Sequence, residues 1–332
     1  MDKLVSNVLI SIMTDPAPSS FQYYIEKFRA FIRPLLRKLD GKKPLVKPKY
    51  GGHYAVTRSF IEGLQRENIP FIYNPQKKKD CSEEVIVLAG LNTLRQALEW
   101  KKKGIIKKLA AGPNLVNLPS DCPELLGSEY LDTLILNSEW VQVPYWMEMP
   151  HLAAKTILWP AGVDENFWKP VSEIKSKSNI LFYNKRPEQK MYEECITIAT
   201  ELGFTVSEIK YGSYTADEYK KALEVNPLLV HFVEQETQGI SVLEAWTMDV
   251  PTIVWNPGFL HIKGMNIICS SSPNMTNKTG LFFRDATGFK AVLSLYKKGD
   301  PAFSPRECVL QNMTDTYTSK NLLQLVYRSW GK

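Results

Sequence analysis

The sequence predicts an α/β protein built from two doubly wound, largely parallel sheets. Short apolar runs of strand length alternate with segments of helical period along most of the chain. A length of 332 residues suggests about two domains with ample core. The stretch Leu228 to Trp255, LLVHFVEQETQGISVLEAWTMDVPTIVW, reads as a strand–loop–helix–strand unit. Its loop lies where open α/β sheets bind ligands.

Within that unit, Leu228 to Val233 has the length and composition of a buried strand. A helix is expected from about Val242, with Ser241 and Glu244 fitting a Ser-x-x-Glu capping box. Pro251 ends the helical pattern, and Thr252 to Trp255 reads as the next strand. The helix start at Gly239, Ile240 and Ser241 offers N–H groups and a partial positive charge, which suits a phosphate. Glu236 and Glu244 stand eight residues apart across the turn, so both can face one ligand. The plain alternative makes Glu244 a helix cap and Glu236 a solvated loop acid.

From the amino terminus, residues 4 to 13 read as the first strand, and 21 to 39 as a helix that Pro34 should kink. Nine Lys or Arg and a single acid, Asp40, fall between Lys27 and Lys49. Such a basic amphipathic segment suits an anionic membrane surface or an anionic acceptor, or is a solvated face. Gly51 and Gly52 open a second helix, Tyr54 to Glu67, and let backbone approach a ligand closely. Strands follow at 69–74, 85–89, 107–111 and 133–137, with a helix at 91–103. His231 sits inside an apolar strand and reads as a satisfied core residue.

In the second half, Ser178 to Tyr183 reads as a strand, followed by the cationic loop Lys185, Arg186 and Lys190 and a helix from about Tyr192. Cations at a strand's carboxyl end can neutralise a diphosphate leaving group. Residues 204 to 209 read as a strand leading to Tyr211 and Tyr214, and Thr215 with Glu218 suggests a capped helix over 216–223. Short strands at 267–269 and 281–283 and helices at 288–295 and 320–330 complete the pattern.

Hydrophobic content of 44% and charged content of 23% are those of an ordinary soluble globular protein. The five cysteines are scattered, odd in number and without a Cys-x-x-Cys pair, which indicates reduced thiols. The apolar run Val8 to Met13 is too short for a signal peptide or a membrane span. A cytoplasmic protein, peripheral on a membrane if the basic segment docks, is therefore expected. No nucleic-acid partner is expected.

The spacing Glu236-x7-Glu244 with Gly239 between, followed by EAW and DVPTIVW, resembles the signature of retaining GT-B glycosyltransferases of family 4. The segment Ile157 to Pro170, ILWPAGVDENFWKP, is similar to that family's interdomain segment at Pro160, Gly162, Val163, Asp164, Phe167 and Pro170. The resemblance implies a GT-B architecture, two Rossmann-like domains facing a central cleft. Residues 1–167 would form the acceptor-side domain, 168–318 the nucleotide-sugar domain, and 319–332 a helix crossing back to the first domain. It implies that Glu236 meets the donor sugar and Glu244 the ribose. Lys185, with Arg186 beside it, and Lys190 would meet the diphosphate; Gly51 and Gly52 would lie near phosphate and acceptor. Tyr211 and Tyr214 would lie against the base. The family often has a histidine after a middle strand of the first domain, and this chain has none there.

The implied function is transfer of a sugar from a UDP- or GDP-linked donor to a hydroxyl of a glycan or lipid-linked acceptor. Retention at the anomeric carbon is implied with it. No Asp-x-Asp occurs and no metal-ligand cluster is evident, so metal-independent chemistry without a further cofactor is expected. A GT-B epimerase or phosphorylase, or a non-catalytic nucleotide-sugar-binding protein, are the rival readings. The missing histidine and the lysine at 185 favour the last.

Overall fold

The structure, a computed structural model, describes residues 9–15, 52–75, 77–171, 176–185 and 188–332. The helix expected over 21–39, its kink at Pro34, the basic run from Lys27 to Lys49, Gly51 and Arg186 lie outside the described residues.

The first sheet is assembled from β1 (Ile10–Met13), β2 (Phe71–Tyr73), β3 (Glu84–Ala89), β4 (Lys108–Asn114), β5 (Thr133–Leu136) and β6 (Thr156–Leu158). Helices α1 (Gly52–Arg66), α2 (Leu91–Lys102), α3 (Pro123–Leu126) and α4 (Glu139–Glu148) lie between them. The strand order is β2-β1-β3-β4-β5-β6, parallel throughout. Strands β1, β3 and β5 are buried at every position, which is why ISIM, EVIVLA and TLIL are largely apolar, with only Ser11, Glu84 and Thr133 polar. Successive side chains serve opposite faces. Val85 and Val87 pack with Leu94, Leu98 and Tyr145, whereas Ile86 and Leu88 pack with Phe60 and Trp159.

The second sheet holds β7 (Asn179–Asn184), β8 (Thr205–Lys210), β9 (Leu229–Phe232), β10 (Thr252–Trp255) and β13 (Gly280–Phe283), with a separate antiparallel hairpin of β11 (Phe259–Ile262) and β12 (Met265–Ile268). Its helices are α5 (Gln189–Glu201), α6 (Ala216–Val225), α7 (Ile240–Thr247), α8 (Ala286–Lys298), α9 (Pro305–Asn312) and α10 (Asp315–Ser329). The order β13-β10-β9-β7-β8 is again parallel throughout. In both sheets the first strand in sequence lies between the second and the third. The direction of winding reverses there, and open α/β sheets bind ligands at that switch point.

Two chain segments join the halves side by side. Val163 N–H donates to Met313 O at 3.0 Å, and Asp315 N–H donates to Val163 O at 3.1 Å. A Cβ on Gly162 would lie 2.5 Å from Thr318 Oγ1 and 2.6 Å from the Thr314 backbone, so only glycine fits. Helix α10 then packs on the first domain, where Leu322, Leu323 and Val326 share a core with Ile12, Phe60 and Ile86. The carboxylate of Asp315, 0% exposed, meets Arg58 Nη1 at 2.7 Å. Burial pushes the Asp315 carboxyl up, against the pull of the Arg58 and Arg66 guanidiniums.

Several boundaries differ from the sequence reading for local reasons. Helix α10 begins five residues before 320 because Thr314 caps it, its side chain accepting from Tyr317 N–H. The β11–β12 hairpin, read only as a strand at 267–269, turns at Lys263 and Gly264, with φ of 48° and 79°. A Lys-Gly pair lacks the Asn-Gly signal of such turns. Helices α4 and α9 escaped notice, α4 because Pro144 interrupts its pattern. The box at Thr215 and Glu218 is present, and α6 runs on to Val225. All five cysteines are free thiols. Among the described residues no helix is long and apolar enough to cross a membrane.

Candidate functional site

The carboxyl ends of β7 and β9 deliver the residues around which the cleft is built. Lys185 directly follows β7, and Glu236 lies in the loop after β9. Across the switch point Lys185 Nζ meets Glu236 Oε1 at 2.5 Å, with the two side chains 26% and 14% exposed. The same ammonium lies 4.7 Å from the ring centroid of Tyr211. These groups open onto a cavity of about 240 Å³. Tyr214, Gly239, Ile240, Ser241 and Glu244 line it from the second domain; Ala55, Val56, Asn114 and Asn137 line it from the first.

The start of α7 departs from the expected capping box. Gly239 is the cap residue, in the left-handed region at φ 82°, and no side chain caps the helix. Helix α7 starts at Ile240, two residues before the expected Val242, so Ser241 is its second residue. The Ser241 hydroxyl pairs with His231 Nε2 at 3.1 Å instead. Glu244 is one turn further in, 3% exposed, and lines the cavity. Val242 N–H and Leu243 N–H donate to Gly239 O at 3.1 Å, which leaves the Ile240 and Ser241 N–H groups at the helix start to meet an anion in the cleft.

Beneath the cavity sits an aromatic floor. The Tyr183 ring stacks on His231 with centroids 4.7 Å apart, and the Tyr183 and Tyr214 hydroxyls are 2.6 Å apart. Tyr219 donates to Ser241 O at 2.9 Å. Burial raises the pKa of all three tyrosines, so their hydroxyls stay protonated. His231 is fully buried, and burial, with the Lys185 charge adding to it, lowers its pKa to about 3. The imidazole is therefore neutral. Only half of the expected satisfaction is met, because His231 Nδ1 has no partner.

A glutamine ties this loop to the other domain. Gln238, 3% exposed, accepts from Asn137 Nδ2 at 3.1 Å and from Ala161 N–H at 3.0 Å, and donates to Ala161 O at 2.6 Å. Trp140 Nε1 donates to Glu236 O at 2.9 Å. The backbone that carries Glu236 is thus clamped by residues of the first domain.

Of the residues singled out from sequence, Lys185, Tyr211, Tyr214, Glu236, Gly239, Ile240, Ser241 and Glu244 gather around one cavity. Lys190 does not join them: it lies on the first turn of α5 and is exposed, because that helix starts three residues before the expected Tyr192. Gly52 is the first residue of α1, whose next turn supplies Ala55 and Val56. Sequence reasoning missed Gln238, Asn137 and Asn114. For Gln238 the available signal was a large amide inside the Glu-x7-Glu spacer.

The first domain's switch point, between β1 and β3, carries a second cavity of about 630 Å³. Thr14, Asp15, Tyr54, Tyr73, Asn92 and Arg95 line it. Asn114 lines both cavities, and its buried Nδ2 has no hydrogen-bond partner. A cluster of Glu62, Asp164 and Asp315 lies apart from these. Arg58 and Arg66 fill it, Arg66 Nη2 meeting Asp164 Oδ1 at 2.8 Å. Arginines already compensate those carboxylates.

No protein-family model matches the chain, and no curated protein sequence matches it. Solved structures do. Along 97% of this chain and 99% of the other, the structure is similar to the lipopolysaccharide outer core galactosyltransferase WaaB in its apo form, with a TM-score of 0.59 and 12% identity. The shared architecture is two facing parallel-sheet α/β domains. The fold is GT-B. Over 96% of this chain and 99% of that one, Anabaena HepE in complex with UDP superposes with a TM-score of 0.54 at 10% identity. The catalytic domain of starch synthase IV from Arabidopsis thaliana, bound to ADP and acarbose, gives 0.55 at 10% identity over 98% and 100%.

Proposed function

We propose that this GT-B protein is a glycosyltransferase that moves a sugar from a nucleotide-sugar to a hydroxyl acceptor with retention. The observation that carries the reading is the convergence of Lys185, Glu236, Glu244 and the uncapped start of α7 on one interdomain cavity. A nucleoside diphosphate matches that set group by group. The α7 N–H groups and Lys185 would meet the two phosphates. Glu244 would accept from the ribose hydroxyls, and the exposed Tyr211 ring offers a face for the base.

The chemistry needs little beyond placement. The acceptor oxygen attacks the anomeric carbon as the bond from that carbon to the phosphate oxygen breaks, its electron pair leaving with the diphosphate. The acceptor proton passes to that phosphate oxygen on the same face, which accounts for retention. Lys185 and the α7 dipole stabilise the charge on the departing diphosphate, and Glu236 orients the sugar through its hydroxyls. These groups supply positive charge without a metal ion or a further cofactor. The acceptor would enter from the cavity at the first domain's switch point, where Tyr54, Tyr73, Asp15 and Asn92 form a surface suited to a glycan. Asn114, between the two cavities, carries the amide N–H best placed to replace the absent histidine.

Thermal shift against UDP, GDP, ADP and their sugar conjugates tests the reading. A ligand that binds only the folded state raises apparent stability by mass action. One nucleoside diphosphate family should raise Tm, and its sugar conjugate should be hydrolysed slowly without acceptor. Tight binding with no turnover would make the protein a nucleotide-sugar binder; no shift with any of them overturns the reading.

A further inference from the structure

A third cavity, of about 210 Å³, lies between the domains beside the candidate donor site. Its far wall is apolar: Trp140, Val141 and Pro144 of α4 face Leu260, Ile262 and Ile267 of the β11–β12 hairpin. Its near end is polar. Asn137 and Thr237 line both this cavity and the donor cavity, so the two adjoin at these residues. The hairpin is held in place across the cleft, because Lys263 Nζ donates to Asp121 Oδ1 at 2.6 Å and to Ser120 Oγ at 2.8 Å.

The volume is far above the ~15 Å³ that admits one water. Water gains few partners against such an apolar wall, and covering that wall with hydrocarbon is favourable. A substrate group that carries an amide at its base and hydrocarbon at its tip would match both ends. Thr237 follows Glu236, the residue assigned above to the transferred sugar, so a substituent on that sugar reaches the polar end first.

We propose that this cavity receives an acylamino substituent of the transferred sugar. The inference rests on the donor-site reading above. The amide of the substituent meets Asn137 and Thr237. Asn137 commits Nδ2 to Gln238 and can accept an amide N–H through Oδ1. The acyl methyl enters the apolar part under the hairpin. A sugar bearing only hydroxyls would leave that part empty.

Hexose 1-phosphates test this without assuming a base. Binding of N-acetylglucosamine 1-phosphate is compared with glucose 1-phosphate, and of N-acetylgalactosamine 1-phosphate with galactose 1-phosphate. Saturation-transfer NMR on the full chain reads both pairs. At least one acylated sugar should bind about tenfold tighter than its parent. Val141→Trp from the α4 side and Ile262→Trp from the hairpin side each fill the cavity, so a variant that fails to fold leaves the other. The folded variants should lose the preference while inorganic diphosphate binds as before. Equal binding within both pairs, or a preference that survives cavity filling, overturns the inference and leaves the donor site standing. If diphosphate and all four sugars fail to bind, the donor-site reading falls and takes this inference with it.

Discussion

Lys185 Nζ and Glu236 Oε1 stand 2.5 Å apart across the point where the second sheet reverses its winding. The cation expected to meet a diphosphate is thus held by the acid expected to meet the sugar. Donor binding must exchange that ion pair for two new sets of contacts. Glu236→Gln should therefore leave nucleoside diphosphate binding unchanged or tighter, since Lys185 is released, while turnover falls at least ~10-fold for loss of one charged hydrogen bond. Lys185→Ala should weaken the diphosphate and spare the nucleoside, with the difference shrinking in high salt. Calorimetry with nucleoside and nucleoside diphosphate checks both. Equal loss of the two ligands would mean that these side chains hold the fold and not the phosphates.

Glu244 does not cap its helix, since Gly239 occupies that position. A stability-only role for Glu244 through capping is accordingly removed. Glu244→Ala should weaken nucleotide binding by about 1.5–3 kcal/mol, the scale of hydrogen bonds to a charged group. Its α7 helix should persist by circular dichroism. Unaltered affinity with a lowered Tm would contradict this assignment.

Gln238 joins the donor loop to Asn137 and Ala161 with three hydrogen bonds. Gln238→Ala leaves a buried backbone N–H, a carbonyl and an amide unpaired, at about 1–3 kcal/mol for each group left without a partner. Unfolding by urea should show a lower midpoint, and turnover should fall because Glu236 rides on the same loop. Gln238→Glu is the sharper control, since it keeps the size and removes the donor to Ala161 O. Wild-type stability in both variants would refute the clamp.

His231 ties stability to pH. Its folded pKa, about 3, lies below the unfolded value near 6.5, so the unfolded state binds the proton more readily. Stability from this group is full above pH 6.5 and is lost as pH falls toward 3. The loss approaches about 1.4 kcal/mol per pH unit within that window. His231→Phe retains a ring to stack on Tyr183 and cannot titrate, so its unfolding free energy should change less between pH 7 and 5. Identical slopes in both proteins would show that His231 charges at no cost.

The sequence made the sheets legible because central parallel strands are buried on both faces and so largely apolar, as in the VIVLA of EVIVLA and the LIL of TLIL. It made Glu236 and Glu244 legible because their spacing around one strand–loop–helix unit is local, and Lys185 because it directly follows a strand's carboxyl end in a unit of its own. Three features were not legible, each for a physical reason. Ser241 looked like a cap, and a glycine in the left-handed region took that place. Lys190 matched an expected spacing, but α5 starts early enough to carry it outward. Asn114, Asn137 and Gln238 are uncharged amides on distant segments, and only the meeting of the two domains gives them a role.

Helix α10 has a consequence for biosynthesis. Leu322, Leu323 and Val326 complete a core whose other members, Ile12, Phe60 and Ile86, are synthesised far earlier. Nascent domains ordinarily close in order of translation. Here the amino-terminal half keeps a greasy face uncovered until residues 315–329 clear the ribosome. At ~5–20 residues per second, that wait lasts on the order of tens of seconds. Transiently exposed apolar surface of this kind is prone to aggregation, and a nascent chain stalled within the second half would present it indefinitely.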